Sequence, residues 1–168
     1  MKIRVGNWIY NRKIEEMGEK LVLFKVVVVP RHIGQNYHIC FEDNRKPPLD
    51  IAIQPNDNTI EYVSYFVMDE KIEEMNDSLA RGEVEEIDIS QVNFPVNLPY
   101  CTQKRLFHFW RNKGDIIVLK EGYQTAKVSL FRLNETNGLL FNGNEFIGCL
   151  FEKINEDEWL ILKKAKCL

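Results

Sequence analysis

The sequence predicts an α+β protein built mainly from antiparallel β meanders, with one or two short helices. Three observations lead to this class. Apolar and polar residues alternate with a period of two along most of the chain, turn residues separate the segments so defined, and the strand–helix–strand rhythm of a parallel sheet is absent. At 168 residues, 45% of them hydrophobic, the chain can bury an ordinary core without disulfides or metals.

Strand signals are strongest in the first half of the chain. Residues 20–29 form a long β-branched run, which predicts a central strand covered on both faces. Residues 37–42, 49–53 and 60–68 follow, separated by stretches rich in Asn, Asp and Pro. These three segments predict a meander.

A first helix is predicted over residues 69–81. Asp69 can cap it, and Ile72, Met75 and Leu79 fall at positions i, i+3 and i+7 of one helical stripe. Gly82 can end it.

A second helix is predicted over residues 102–113, where a strand remains the alternative. A strand would place Leu106, His108 and Trp110 on one face. A helix could begin at Thr102 and end at Gly114, and these terminal signals favour the helix.

Strands return after Gly114 and complete the predicted fold. They cover residues 115–120, 125–133, 139–141, 145–153 and 159–164, and pairs such as Asn142-Gly143 suit tight hairpin turns. Phe41, Asn44 and Leu49 recur ninety positions later as Phe131, Asn134 and Leu139. Two meanders with the same turn chemistry would give this match by chance, so an internal duplication stays an alternative.

We expect a single domain over residues 1–168. Residues 93–99 contain two prolines that interrupt any ladder or helix, so two lobes over 1–92 and 100–168 are a second possibility. The sequence indicates no oligomeric state.

Several functional classes are disfavoured. Neither a GxxxxGK[ST] nor a GxGxxG loop is present, so we expect no nucleotide cofactor. The beginning of the chain lacks a secretory signal pattern, and the longest apolar run is far shorter than the roughly 20 residues of a membrane-spanning helix, which predicts a cytoplasmic protein without membrane association. The basic and aromatic stretch 103–113 is too short and too apolar to favour nucleic-acid binding.

The cysteines and histidines give one enzymatic alternative. The four cysteines include no CxxC pair, and His38 with Cys40 supplies only two ligands on one strand face, so we expect no metal site. At the start of a helix over 102–113, Cys101 would have a lowered pKa and could act as a nucleophile with His108. A cysteine-dependent enzyme is therefore the alternative function.

Charge is the feature that stands out most. Between residues 69 and 88 the chain has nine acids against two bases, a net charge of −7, while the remainder carries +4. The acids are Asp69, Glu70, Glu73, Glu74, Asp77, Glu83, Glu85, Glu86 and Asp88. Such a surface favours association with a basic protein. We therefore expect a non-enzymatic protein–protein interaction module, conjecturally a neutralising or immunity-type inhibitor that binds a basic partner through these residues.

Overall fold

The computed structural model describes residues 1–77, 79, 81–90, 92–123 and 128–168. Within these ranges the chain forms fifteen strands and one helix. In order they are β1 (Lys2–Arg4), β2 (Ile9–Gly18), β3 (Leu21–Val29), β4 (Tyr37–Asp43), β5 (Lys46–Ile53), β6 (Ile60–Met68), β7 (Glu73–Glu74), β8 (Arg81–Val84), β9 (Glu86–Asp88), β10 (Tyr100–Lys104), β11 (Phe107–Asn112), β12 (Asp115–Lys120), β13 (Val128–Arg132), β14 (Asn137–Asn142), β15 (Glu145–Phe151) and α1 (Glu156–Lys164). The prediction of mainly antiparallel β structure is confirmed, with a smaller helical share than an α+β class implies.

Two large sheets and a small one make up the fold. The six-stranded sheet has the order β10-β4-β5-β6-β3-β2, and the seven-stranded sheet has the order β7-β11-β12-β15-β14-β13-β8. Neighbours are antiparallel except at three edges, where β10 runs parallel to β4, β7 to β11 and β8 to β13. Strands β1 and β9 pair antiparallel as a separate two-stranded sheet.

The main core lies between the inner faces of the two large sheets, where aromatic rings meet. Phe24 packs on Phe109 with ring centroids 5.1 Å apart, and Phe41 packs on Phe107 at 5.5 Å. Tyr65 contacts both rings of the second sheet, at 6.2 and 5.3 Å. These pairs are tilted or edge-to-face except for Tyr65 on Phe109, which is stacked, and each buried ring stabilises the fold by about 1.5–3 kcal/mol. Residues from before and after segment 93–99 contribute to this one core.

A second, smaller cluster covers the other face of the seven-stranded sheet. It contains Ile117, Leu130 and Leu150 from the sheet, with Leu79 and the half-buried Met75 from the connection between β7 and β8. These two strands are the opposite edges of the sheet, about 29 Å apart if the sheet were flat. The seven Cα–Cα steps from Glu74 to Arg81 span at most about 25 Å, so the sheet curls around the cluster.

The two large sheets repeat one five-strand unit. In the first, hairpin β2–β3 and meander β4–β6 give the order β4-β5-β6-β3-β2; in the second, hairpin β11–β12 and meander β13–β15 give β13-β14-β15-β12-β11. In each, an extra parallel strand lies beside the first meander strand, β10 in one sheet and β8 in the other.

Backbone details match between the two units. Lys20 and Lys113 occupy the hairpin turns with φ of 56° and 55°, and Asp69 and Lys153, just after the last strands, both have φ of 51°. The residues of the ninety-position echo also correspond. Phe41 faces Leu49 across β4 and β5, as Phe131 faces Leu139 across β13 and β14.

The predicted helix over 69–81 is wrong. Glu73 and Glu74 pair with β11, and residues 81–84 form β8, whereas residues 78 and 80 lie outside the described residues. The apolar residues taken as one helical stripe divide between two clusters, because Ile72 enters the main core while Met75 and Leu79 cover the second cluster. Gly82 lies within a strand and ends no helix.

The predicted helix over 102–113 is also wrong, and the strand alternative is correct for most of it. Residues 102–104 belong to β10 and residues 107–112 to β11. Phe107 and Phe109 fill the main core while Trp110 lies on the opposite face of the sheet, an alternation that only a strand allows. Gly114 lies in the hairpin turn between β11 and β12.

The predicted strand over 159–164 is wrong, because these residues belong to helix α1. Asn155 caps α1 through its side chain, which accepts a hydrogen bond from the Glu158 N–H at 2.8 Å, and the Glu158 carboxylate accepts from the Asn155 N–H at 3.1 Å. This capping box satisfies two of the free donors at the helix start. Leu162 and Ala165 then pack into the main core.

Strand β3 departs from the expectation that both of its faces are covered. Val22, Phe24 and Val26 are fully buried, whereas Leu21 and Leu23 on the outer face are half-buried. The structure describes no helix long and apolar enough to span a membrane.

Candidate protein-binding surface

The structure distributes the nine acidic residues over separate places. Glu73 and Glu74 lie at one edge of the seven-stranded sheet, and Glu83 lies on β8 at the opposite edge. Glu86 and Asp88 lie on β9, paired with β1. Because Glu73–Glu74 and Arg81–Val84 are strands, no helix face brings these carboxylates together.

Five of the nine carboxylates bond a cation. The pairs are Glu70 with Lys46, Glu74 with Arg111 at 2.5 Å, Glu83 with Arg132 at 2.6 Å, Glu86 with Lys2 and Arg4 at 3.8 and 3.9 Å, and Asp88 with the Met1 amino group at 2.6 Å. Among the described residues the other four, Asp69, Glu73, Asp77 and Glu85, have no ion pair. The charge of the acidic segment is thus largely compensated locally.

Cys101 and His108 lie in different sheets. Cys101, on β10, is 6% exposed, and its Sγ accepts a hydrogen bond from the Asn93 N–H at 3.4 Å. His108, on β11, lies with its Nε2 3.4 Å from Glu121 Oε1. The environment of each residue offers no activated Cys–His pair, because Cys101 lies on a strand and gains no helix dipole.

A polar network lies on the outer face of the six-stranded sheet. The Asp50 carboxylate accepts a hydrogen bond from the Tyr62 hydroxyl at 2.7 Å and lies 3.0 Å from His38 Nδ1. Cys40 lies beside it, and burial together with Asp50 raises the pKa of the Cys40 thiol to about 12. The thiol is therefore inert near neutral pH, and in the ranges that the structure covers no three His, Cys, Asp or Glu side chains are grouped to hold a metal ion.

One end of the six-stranded sheet gathers loops from all six of its strands. Ile9 at the start of β2 faces Val29 at the end of β3, and Ile60 at the start of β6 faces Ile53 at the end of β5. His38 and Tyr100 pair at the start of β4 and β10. Because these termini align, residues 5–8, 30–36, 54–59 and 93–99 meet at this end, which we call the strand-end surface.

The strand-end surface carries most of the exposed apolar side chains. Nine large hydrophobic side chains are exposed in the described part of the chain, and seven of them lie here: Trp8 (48%), Ile9 (70%), Val29 (45%), Ile33 (95%), Val96 (88%), Leu98 (57%) and Tyr100 (49%). The other two, Met17 and Leu160, lie elsewhere. Together the seven leave about 700–900 Å² in solvent, more than the few hundred Å² of a typical exposed apolar patch.

A buried carboxylate shapes the centre of this surface. Glu61 is fully buried, and its Oε1 accepts hydrogen bonds from the His32 N–H at 3.0 Å and from Arg31 Nε at 3.4 Å. Its Oε2 accepts from Gln54 Nε2 at 2.8 Å. Glu61 therefore connects loop 30–36 to loop 54–59 and neutralises Arg31.

Few charges interrupt the strand-end surface. In the four loop segments the only Asp, Glu, Lys or Arg residues are Arg31, which Glu61 neutralises, and Asp57, which accepts a hydrogen bond from the Thr59 N–H at 3.0 Å. Tyr100 is held by stacking on His38 with ring centroids 4.9 Å apart, and His38 is in turn oriented by Asp50. Depletion of charge around rigid aromatic side chains is typical of the centre of protein interfaces.

Sequence reasoning missed this surface. The available signal was composition: the four loops combine large apolar residues with almost no charge, where exposed loops usually are polar. No family model matches the chain, and no curated protein matches it closely enough to count as a relative.

Proposed function

We propose that the protein is a non-enzymatic protein–protein interaction module that binds a basic partner protein on its strand-end surface. The observation that carries this proposal is the convergence of seven exposed apolar side chains at one charge-poor end of the six-stranded sheet. A standard protein interface buries about 800 Å² of total surface per partner, and the seven exposed side chains alone leave an area of that order. Trp8 and Tyr100 are the residue types that most often dominate binding energy there.

Acidic residues outside the strand-end surface support a positively charged partner. The chain carries a net charge of −3, and Asp69, Glu73, Asp77 and Glu85 remain without an ion pair within the described ranges. These carboxylates would attract a basic protein at long range, while the apolar side chains would supply the affinity. Binding would cover the partner's own functional surface and so inhibit it, which is how an immunity-type inhibitor acts.

The test compares two pairs of exposed apolar residues. Ile33→Ser with Leu98→Ser alters the strand-end surface, and Met17→Ser with Leu160→Ser is the matched control elsewhere. Each immobilised variant is incubated with lysate of the native source. A protein retained by wild type and by the control, but lost from the strand-end variant, is then purified and titrated by calorimetry. We expect at least about 100-fold weaker binding for the strand-end variant, from two lost apolar contacts of about 1.5 kcal/mol each.

A second variant separates the two sources of binding. Charge reversal of Glu73, Glu74, Glu85 and Glu86 to Lys should slow association and reduce its salt dependence without abolishing capture. Capture that survives Ile33→Ser with Leu98→Ser, but is lost on charge reversal, would refute the strand-end surface and place the interface on the acidic segment.

A further inference from the structure

Within the described ranges, no strand pairs with the outer edge of β10. The His38 N–H donates to the Pro99 carbonyl at 2.8 Å, and the Arg105 N–H donates to the Glu42 carbonyl at 3.1 Å. In a parallel pair these contacts direct the odd-numbered residues of β10 toward β4. The backbone groups of Tyr100, Thr102 and Lys104 therefore point away from the sheet, and within the described chain they have no hydrogen-bond partner.

The opposite edge of the same sheet is shielded. Asn134 Nδ2 donates to the Tyr10 carbonyl of β2 at 3.0 Å, and Arg12 bonds Glu158 of α1 at 2.7 Å. Helix α1 contacts β2 along this edge. An unpaired strand edge is a template for another chain, so β10 is the side of the six-stranded sheet at which a further strand can add.

We propose that β10 pairs antiparallel with β10 of a second copy of this chain, about a two-fold axis at Thr102. This register places Thr102 opposite Thr102 and Tyr100 opposite Lys104, and its hydrogen-bonded pairs use the outward groups of these three residues. The pairing is self-complementary, because no like charges face each other. The Lys104 ammonium would lie over the free face of Tyr100, whose other face stacks on His38. The two six-stranded sheets would become one continuous sheet of twelve strands.

This inference does not rest on the proposed function, although the two share Tyr100. Lys104 of the second copy would cover Tyr100 and leave the other six exposed apolar side chains of the strand-end surface to a partner. The two-fold axis would direct the strand-end surfaces of the two copies to opposite ends of the continuous sheet. A dimer would thus carry two partner-binding surfaces, and loss of either proposal leaves the other standing.

The test measures self-association of the whole chain by sedimentation. We expect wild type to show a concentration-dependent dimer between about 5 and about 500 µM. Thr102→Pro removes one N–H donor per copy at the axis and should weaken the dimer about tenfold or more. Thr102→Val keeps the N–H and is the matched control, which should associate within about threefold of wild type.

Cross-linking checks the register even if Thr102→Pro fails to fold. With a short bis-maleimide, Thr102→Cys should form an intermolecular cross-link, each thiol adding across one maleimide double bond, because the two side chains lie side by side at the axis. Lys13→Cys, exposed on β2, should stay uncross-linked. A wild type that is monomeric throughout this range would overturn the inference. So would a dimer that Ile33→Ser with Leu98→Ser dissociates while Thr102→Pro and Thr102→Val behave alike.

Discussion

Replacement of Glu61 by Ala tests whether one buried carboxylate holds the strand-end surface together. Glu61 is fully buried and accepts hydrogen bonds from His32 N–H, Gln54 Nε2 and Arg31 Nε. A net hydrogen bond to a charged group stabilises a fold by about 1.5–3 kcal/mol. The Arg31 side chain is 58% exposed, so its ion pair adds less than about 1 kcal/mol.

The two firm hydrogen bonds therefore set the magnitude. We expect Glu61→Ala to lower the free energy of unfolding by about 3–5 kcal/mol, because the part-buried His32 N–H and Gln54 Nε2 lose their acceptor and a small cavity is left. Glu61→Gln keeps one oxygen for His32 and should cost about 1–2 kcal/mol. Urea unfolding followed by tryptophan fluorescence measures both values.

Glu42→Ala is the matched control, since Glu42 is an exposed carboxylate on the same sheet. It should change stability by less than about 0.5 kcal/mol. Hydrogen exchange of the amides in loop 30–36 gives a second measurement, and exchange should accelerate in Glu61→Ala. A loss below about 1 kcal/mol, with unchanged exchange, would show that Glu61 does not shape this surface.

Three further predictions concern stability and thiol chemistry. The hydrogen bond from the Arg45 side chain lowers the pKa of Asp43, so ionised Asp43 stabilises the fold above about pH 4 and this stabilisation is lost as the pH falls further. In Asp43→Asn, the free energy of unfolding should therefore fall less steeply between about pH 4 and pH 2. Alkylation followed by mass spectrometry should find no thiol that reacts rapidly at pH 7, since Cys40 has a pKa raised to about 12 and Cys101 is buried; rapid labelling of Cys101 in the folded protein would revive the enzymatic alternative. Gly148→Ala should prevent folding or destabilise by more than about 4 kcal/mol, because its Cβ would lie 1.8 Å from a carbonyl oxygen of β12, whereas the control Gly114→Ala meets no atom within 4 Å and should fold, as circular dichroism would show.

Most strands could be predicted because their signals are local. Residues 37–42, 49–53 and 60–68 alternate between core and surface and are bounded by turn residues, and all three form strands of the meander. Segments 115–120 and 145–153 also form strands, although both of their faces are buried. Residues 125–127 of the segment 125–133 lie outside the described residues. Period-two patterning is clear in the folded six-stranded sheet because its outer face is only partly buried, as the alternation along β6 shows.

The helices were mispredicted because their local signals were ambiguous. Ile72, Met75 and Leu79 have helical spacing, yet Ile72, just before β7, packs in the main core, whereas Met75 and Leu79, between β7 and β8, pack on the second cluster. Conversely, residues 159–164 were expected to form a strand, whereas the capping box of Asn155 and Glu158 starts α1 there. Tertiary packing decided both segments.

The candidate site lay beyond local patterning. Trp8, Ile33, Leu98 and Tyr100 are distant in sequence and meet only because all six strands of one sheet terminate at the same level. The acidic segment was conspicuous in the sequence, but the partners of Glu74 and Glu83 come from β11 and β13. Neither set of contacts can be read from spacing.

The connection that crosses the curled sheet has a consequence for how this protein opens. Strands β7 and β8 are the two edge strands of the seven-stranded sheet and are joined by one short connection. If this segment unfolds locally, both edges lose their outer strand together and the second apolar cluster becomes exposed to solvent. Local unfolding of β7 and β8 is therefore one concerted event, and the two edges do not fray separately. Protection of amides in β7 and β8 should accordingly rise and fall together.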